Sequence, residues 1–265
     1  MIAERLAAAG LDWIVPRWEA PAGVHGFVTT RNGGISEGAA RSLDLGQAAV
    51  DADARMRAAI DENLRRVQAF LPAKPAWLAQ VHGADVAVVD AGAIARADGS
   101  TVARADAAVT WQPDVVLAVR VADCLPVLLA DRDGTALGVA HAGWRGLAAG
   151  VLENTVAAMH CPPARIAAWL GPAIGPGAFE VGANVHDAFV RGDPDAAAAF
   201  AATSPRKWHA DLFALARRRL ARMGVRSIRG GELCTHSDPA RFFSFRRDGT
   251  SGRMGAFLWR TERSA

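Results

Sequence analysis

Cysteine, lysine and tyrosine are scarce in this 265-residue chain. Three cysteines are present, lysine occurs only at Lys74 and Lys207, and tyrosine is absent. An odd number of cysteines without paired spacing argues against a disulfide framework. No stretch approaches the ~20 apolar residues of a membrane span, and the N-terminal segment lacks the uninterrupted apolar core of a signal peptide. We therefore expect a cytoplasmic protein without a membrane partner.

The overall charge of the chain is mild. Hydrophobic residues make up 51% of the sequence and charged residues 22%, as in an ordinary soluble globular protein, and the net charge is +3. The arginines are scattered rather than gathered in a tail. We therefore expect no nucleic-acid partner and a slight preference for small anionic substrates. The sequence leaves the oligomeric state open.

Several metalloenzyme motifs are missing. The sequence contains neither HExxH nor CxxC, which excludes the common metalloprotease and zinc-ribbon patterns. No histidine is followed two positions later by glutamate, as the cytidine deaminase signature requires. The sequence therefore does not predict a metalloprotease, a zinc ribbon or a cytidine deaminase.

Short β-rich runs dominate the middle of the chain. We predict helices at residues 51–70, 147–160 and 211–223, and strands at residues 24–30, 76–81, 85–89, 107–110, 115–122, 127–130, 137–140, 166–170, 227–229 and 254–259. Helices do not alternate regularly with strands, so an α+β fold is expected rather than a doubly wound sheet. Because no linker or repeat is visible, residues 1–265 are predicted to form one domain.

The first predicted helix has an apolar face. Helical spacing places Met56, Ile60, Leu64 and Val67 on one side of it. We expect these four side chains to pack against the core.

Three possible metal ligands, His82, Cys124 and His141, each stand where an apolar run stops. Taken singly, each histidine fits a buried core position and the cysteine fits a small buried thiol. Together they predict a site with three protein ligands and an open fourth position, which is typical of a catalytic zinc. A thiolate excludes magnesium and calcium, whereas copper remains an alternative to zinc.

Glycines surround an arginine just after the third of these residues. Gly143, Arg145 and Gly146 precede a predicted helix. Free amide groups at a helix start, together with a guanidinium group, are suited to phosphate or carboxylate. The alternative is that glycine is needed there only for close packing.

Two further segments combine arginine with glycine or aromatic residues. Arg31 lies on a glycine turn at the end of the first predicted strand, and residues 242–247 join Phe243 and Phe245 to Arg246. The second segment is a plausible platform for a flat base or an anion. Both segments could instead be structural, as a hairpin turn and a buried strand end with solvated arginines.

The sequence resembles the laccase-domain family, whose members are also called multicopper polyphenol oxidases and peptidoglycan editing factors. The resemblance runs from about residue 23 to residue 259 and rests on the words TTRNGGIS, SLDLG, QVHGADV, DAAVT, ADCLPVLLAD, GVAHAGWRGL, GPAIGPGAFEVG and FFSFRRDGTSGRMGAF. It implies that His82, Cys124 and His141 bind a metal, usually described as zinc. It also implies an α+β fold whose mixed sheets form a sandwich flanked by helices.

Two positions depart from the family pattern. Asp44 stands where the family usually has asparagine, and its charge would alter affinity for a phosphate if it contacts substrate. Phe245 stands where tyrosine is frequent, which removes a hydroxyl group and argues against a catalytic role there.

The resemblance implies a purine nucleoside phosphorylase acting on adenosine, inosine and methylthioadenosine, with adenosine deaminase activity. On this interpretation four residues are catalytic: Cys124 and His141 as metal ligands, Asp123 by orienting one of the ligands, and Arg145 by positioning phosphate. The remaining predicted contacts are with substrate: phosphate at Arg31 and Arg145, the purine ring at Phe243 or Phe245, and further contacts at Asp44, Gly143 and Arg246.

Other functions stay open at this stage. A typical four-copper laccase needs about ten imidazoles, whereas this chain has seven histidines. A copper-dependent phenol oxidase with one metal is still possible. So is a cysteine hydrolase or peptidoglycan editing factor in which His141 activates Cys124 as a nucleophile. The fourth possibility is a nucleotide-sensing module with negligible turnover.

Overall fold

The computed structural model describes residues 1–47, 53–96 and 101–262. The strands in these residues form three sheets. The strands are β1 (Val24–Val28), β2 (Pro75–Trp77), β3 (Val86–Val88), β4 (Ala107–Thr110), β5 (Val116–Val121), β6 (Leu125–Asp131), β7 (Leu137–Ala142), β8 (Ile166–Leu170), β9 (Glu180–Gly182), β10 (Phe200–Ser204), β11 (Lys207–Ala210), β12 (Ser227–Gly230) and β13 (Met254–Arg260). The strand orders are β1-β13-β5-β2, β12-β8-β6-β7-β4-β3 and β10-β11-β9.

The helices are short and none of those described could cross a membrane. They are α1 (Ile2–Ala8), α2 (Ala54–Gln68), α3 (Ala91–Arg96), α4 (Trp144–Ala149), α5 (Val151–Ala158), α6 (Ala183–Val190), α7 (Leu212–Arg222) and α8 (Phe245–Asp248). The cytoplasmic location stays a prediction.

The two larger sheets pack face to face. Successive residues of a strand point to opposite faces, and in β5 Leu117 and Val119 face the six-stranded sheet, where they meet Leu128 and Val139. Val116 faces the other way, into a cluster formed with α1 and α2. The fold is therefore the predicted α+β arrangement of mixed sheets in a sandwich.

The outer face of the six-stranded sheet is covered by helices. Leu125, Val127 and Leu129 of β6 belong to one buried cluster with side chains of α5 and α7, among them Leu152 and Leu215. The chain thus forms one compact domain with helices on both outer faces, as predicted.

Strand directions bring the chain segments of interest to one edge. β2 runs parallel to β5, so both strands end on the same side, His82 following β2 and Cys124 following β5. β6 and β7 are antiparallel, with Leu125 opposite Ala142 and Pro126 opposite His141. The start of β6 therefore lies beside the end of β7, and Cys124 lies close to His141.

The structure corrects two sequence-based predictions and adds a sheet that was not predicted. The helix predicted at 147–160 is two helices, because Gly150 adopts a left-handed backbone with φ of 95° between α4 and α5. The strand predicted at 76–81 ends as β2 at Trp77. The small sheet of β9, β10 and β11 was not predicted; β10 is largely exposed and shows no burial alternation.

The buried face of the first long helix agrees with the prediction at Ile60, Leu64 and Val67 and differs from it at Met56. The helix predicted at 51–70 is α2, and the expected start at Asp51 lies outside the described residues. Met56 is 52% exposed, whereas Asn63 is fully buried. The Asn63 amide donates to Ser36 Oγ (2.9 Å) and the Asp44 carbonyl (3.0 Å), and its oxygen accepts from the Ile35 amide (2.9 Å). A polar residue on this face therefore holds the 35–44 loop against α2.

Asn63→Ala should destabilise the protein by about 3 kcal/mol, because buried donors and acceptors of the loop would lose their partners. The measurement is the free energy of unfolding in denaturant. Met56→Ala on the exposed side of the same helix is the control and should change stability by less than about 0.5 kcal/mol. Equal effects of the two substitutions would show that the loop does not depend on Asn63.

Candidate metal centre and adjoining cavity

The three predicted ligands converge. The ligand atoms of His82, Cys124 and His141 all lie within 4.8 Å of one another. The two imidazole rings are 4.9 Å apart at an angle of 74°. His82 is exposed, Cys124 is half-buried and His141 is buried. One ion can therefore contact all three side chains while the His82 side stays open to a substrate.

A buried carboxylate that the sequence analysis missed holds two of these ligands. Asp106, which is fully buried, lies 2.8 Å from His141 Nδ1. Its oxygens also accept from the backbone amides of Val81 (3.0 Å), His82 (2.9 Å) and Gly83 (2.7 Å). The carboxylate leaves Nε2 of His141 free to bind metal and fixes the loop that carries His82. The available signal was an acidic residue directly before the predicted strand at residues 107–110.

The electrostatics favour a thiolate. Burial alone would raise the pKa of the Cys124 thiol, but the charge and hydrogen bonds of His141, with a contribution from His82, lower it to about 6. Burial alone would lower the pKa of His141, but the Cys124 thiolate and Asp106 raise it to about 9. The deprotonated sulfur is the form that binds metal. One thiolate and two imidazoles fit zinc or copper and not a hard cation.

Gly143 leaves room for the neighbouring ligand side chains and does not form an anion-binding site. It is buried and precedes α4, which has only six residues. A Cβ atom added there would lie 2.8 Å from Cys124 Sγ and 3.2 Å from His82 Cδ2. The predicted role of Gly143 in binding substrate is therefore corrected, because the residue packs directly behind two metal ligands.

Asp123 does not orient a metal ligand. Its carboxylate accepts from Thr235 Oγ1 (2.6 Å), Ser244 Oγ (3.0 Å) and the Arg246 amide (2.7 Å). Its backbone is left-handed, with φ of 87°, a conformation that is costly without glycine and is held here by these bonds. Asp123 instead ties the segment beside Cys124 to the start of α8, and the role predicted for it belongs to Asp106.

A cavity of about 670 Å³ opens onto the three ligands. This is within the range of small-molecule sites. Its lining includes the predicted residues Asp44, Asp123, Arg145, Phe245 and Arg246, and also residues that the sequence analysis did not single out, namely Gln80, Arg120, Trp144, Ser251 and Arg253. Phe179 and Ile174, from the Gly-Pro-rich segment 171–176 and the residues that follow it, lie in the same wall.

Two predicted substrate contacts lie elsewhere. Phe243 is fully buried beneath the surface and cannot stack on a purine, whereas Phe245 is 56% exposed and lines the cavity. Arg31 is not part of the lining; it donates to the Arg41 carbonyl (2.7 Å) and the Pro239 carbonyl (3.0 Å). Its guanidinium lies 4.8 Å from the Phe243 ring centre. Both residues brace the loops around the site, which corrects their predicted roles.

Asp44 lines the cavity, and its carboxylate accepts hydrogen bonds from backbone amides. Its Oδ1 atom accepts from the amides of Gly46 and Arg253, each at 2.8 Å. An asparagine oxygen could accept both bonds equally well. The aspartate therefore adds a second oxygen and a negative charge to the cavity wall.

Comparisons with known proteins agree with this architecture. A family model described as multi-copper polyphenol oxidoreductase laccase matches residues 25–261. A Pseudomonas aeruginosa protein named purine nucleoside phosphorylase is 49% identical over 250 residues, 93% of this chain and 98% of that protein. Purine nucleoside phosphorylase YfiH of Escherichia coli is 48% identical over 248 residues, again 93% and 98%.

Solved structures resemble this one closely. Protein NMB0706 of Neisseria meningitidis has a TM-score of 0.86 at 47% identity and covers 95% of this chain and 100% of its own. YlmD of Geobacillus stearothermophilus has a TM-score of 0.82 at 36% identity, covering 91% and 93%.

Asp106→Asn should weaken zinc binding by about 10- to 100-fold, since an amide cannot accept from His141 and from three backbone amides with a full negative charge. Zinc affinity would be measured by competition with a chromophoric chelator. Asp187 contacts His186 at 3.0 Å on the protein surface, so Asp187→Asn is a matched control and should leave zinc affinity unchanged. Unaltered affinity in a folded Asp106→Asn variant would contradict this role.

Gly143→Ala should also weaken zinc binding, by about tenfold or more, because the added methyl group must displace the Cys124 sulfur. The same chelator competition measures it. An added Cβ at Gly192 meets no atom within 4 Å, so Gly192→Ala controls for the loss of glycine. If the two alanine variants bind zinc equally well, Gly143 is not needed for ligand placement.

Proposed function

This chain belongs to the multi-copper polyphenol oxidoreductase laccase family, and from that membership we propose that it is a zinc-dependent purine nucleoside phosphorylase. The supporting observation is the position of the His82, Cys124 and His141 group at the base of a substrate-sized cavity with aromatic and cationic walls. The names of relatives at 48–49% identity support the same reaction class. The proposed substrates are adenosine, inosine and methylthioadenosine.

The proposed reaction replaces a base with phosphate. A phosphate oxygen forms a bond to the anomeric carbon, and the bond from that carbon to the purine nitrogen breaks. The electron pair of the broken bond goes to the purine, which takes up a proton. The products are the free base and a sugar 1-phosphate, and no oxidant is consumed.

The cavity residues are suited to hold these two reactants. The Arg145 guanidinium lies 4.6 Å from the Trp144 ring centre, and no acceptor within the described residues bonds to it, so its fork is available to phosphate. Phe245 offers an exposed ring to a purine. Arg246 donates to the Glu180 carbonyl at 2.9 Å and completes the wall beside Phe245. Positioning two reactants in this way is a large part of catalysis when a glycosyl group is transferred from one bound reactant to another.

His82, Cys124 and His141 are the residues that would hold the ion, with Asp106 behind them. When bound, zinc would supply Lewis acidity at the base of the cavity. We include adenosine deaminase activity in the proposal: water adds at purine C6, ammonia leaves, and inosine is formed. Asp44, Arg145, Phe245 and Arg246 are proposed to bind substrate in both reactions.

One observation favours a second candidate. Cys124 has a pKa near 6 and lies against His141, the pairing that activates a cysteine nucleophile. A metal-free cysteine hydrolase or peptidoglycan editing factor would use the same side chains. The two candidates make opposite predictions for protein stripped of metal.

Cys124→Ala should abolish zinc binding and lower phosphate-dependent release of hypoxanthine from inosine by about 10³-fold or more, because Lewis acidity is worth several kcal/mol. Cys161 lies outside the cavity, so Cys161→Ala is the control and should keep both properties. Retained phosphorolysis in Cys124→Ala would refute the assigned role.

Metal removal separates the candidates. The zinc enzyme should lose activity with a chelator and regain it with zinc, whereas the cysteine hydrolase should work without metal and be inactivated by one equivalent of a thiol reagent. A phenol oxidase would instead contain copper and consume oxygen. A nucleotide-sensing module would bind inosine without turnover.

A further inference from the structure

Arg120 brings a positive charge into the wall of the cavity from an otherwise apolar strand. It lies in β5 between Val119 and Val121, both of which are buried. Gln80 fixes its backbone on both sides, accepting from the Arg120 amide (2.7 Å) and donating to its carbonyl (2.8 Å). The side chain therefore leaves the sheet from a rigid position.

The Arg120 guanidinium is held in a fixed plane. Nε donates to the Leu45 carbonyl at 2.6 Å, and the group lies 3.9 Å from the Trp77 ring centre. Burial lowers the pKa of Arg120 to about 10, an effect that the charge of Asp44 partly opposes. The group is therefore still charged at neutral pH.

The two terminal amino groups of this guanidinium have no acceptor among the residues that the structure describes, and no carboxylate there lies within 4 Å of them. Keeping a partly buried charge unpaired is costly. Asp44 is close enough to act electrostatically but forms no ion pair with Arg120 within 4 Å, and its Oδ1 atom accepts from two backbone amides.

Among the other arginines of the cavity wall, Arg145 is unbonded within the described part of the chain but exposed and lies only against Trp144, whereas two more are already engaged. Arg246 donates to the Glu180 carbonyl, and Arg253 donates to the carbonyls of Ser251 (2.7 Å) and Gly252 (3.1 Å). Arg120 thus differs in offering a rigid fork with both ends free. Arg120 also borders a second cavity of about 700 Å³, whose lining is mostly apolar. An anion fits the first cavity better, because the cationic residues and the metal ligands are there.

We propose that Arg120 is the principal phosphate-binding residue of the cavity, with two parallel hydrogen bonds from its terminal amino groups to two phosphate oxygens, and that the negative charge of Asp44 weakens this binding. The proposal rests on the proposed phosphorolysis and assigns the recognition of its inorganic substrate. Bidentate binding of phosphate is the geometry for which guanidinium is best suited.

The test is the steady-state kinetics of inosine phosphorolysis by the zinc-loaded enzyme, with phosphate and inosine varied separately. Arg120→Met should raise KM for phosphate at least tenfold and change KM for inosine less than about threefold, because charge-assisted hydrogen bonds to one reactant are lost. Arg120→Lys should restore part of the affinity. Asp44→Asn should act in the opposite direction and lower KM for phosphate.

Two controls separate recognition from structural damage. Zinc content and melting temperature of each variant should match those of the unchanged protein. Arg191 is exposed and not in the cavity lining, so Arg191→Met should leave every parameter unchanged. If Arg120→Met does not fold, Arg120→Lys and Asp44→Asn still give opposite shifts in KM for phosphate.

A direct measurement of phosphate binding distinguishes failure of the Arg120 proposal from failure of the proposed function. If the unchanged protein releases no base, binding of inorganic phosphate to the zinc-loaded protein is measured by calorimetry instead. Binding that Arg120→Met abolishes would support Arg120 while phosphorolysis fails. Three outcomes would overturn the assignment of Arg120. They are equal phosphate binding by the unchanged protein and Arg120→Met, no phosphate binding by either protein, and equal rises in KM for phosphate and inosine.

Discussion

The site depends on one buried carboxylate. Asp106 contacts the His141 ring and accepts from three consecutive backbone amides around His82, and its own carbonyl accepts from the His141 amide at 2.7 Å. One residue therefore fixes two ligands that are 59 positions apart in the chain. Because Asp106 lies at the edge of the sandwich, the ligand positions follow from the packing of the two sheets rather than from a local loop.

The acidic residues near the cavity stabilise chain segments, and this leaves the cavity cationic. Asp123 binds the start of α8, and Asp44 binds the backbone amides of Gly46 and Arg253. Neither pairs with an arginine side chain within 4 Å among the described residues. Arg120 and Arg145 consequently keep free guanidinium ends beside the metal ligands. Such an arrangement suits a reaction in which an anion attacks a neutral substrate.

The family is named for copper-dependent oxidation, whereas the relatives are named for phosphorolysis of purine nucleosides. The number and type of the possible metal ligands distinguish these two reactions. A four-copper laccase needs several clusters of imidazoles. In the part of the chain that the structure describes, His82, Cys124 and His141 are the one group of histidine, cysteine or acidic residues with metal-binding geometry. A single ion with an open position favours group transfer over a multi-electron reduction of oxygen, and this agrees with the reaction for which the relatives are named.

The sequence by itself determined the fold class, most strands and the three side chains that converge as a possible metal-binding group. Period-two burial and apolar runs are local signals, and His82, Cys124 and His141 could be found because each interrupts such a run. Tertiary structure alone decided which other polar residues matter. Asp106 and Arg120 are positioned by partners far away in sequence, whereas the surroundings of Phe243, Arg31 and Asp123 occupy these side chains. The spacing of residues along the chain indicates which face of a strand or helix a side chain lies on. Only the tertiary packing decides which atoms contact that side chain.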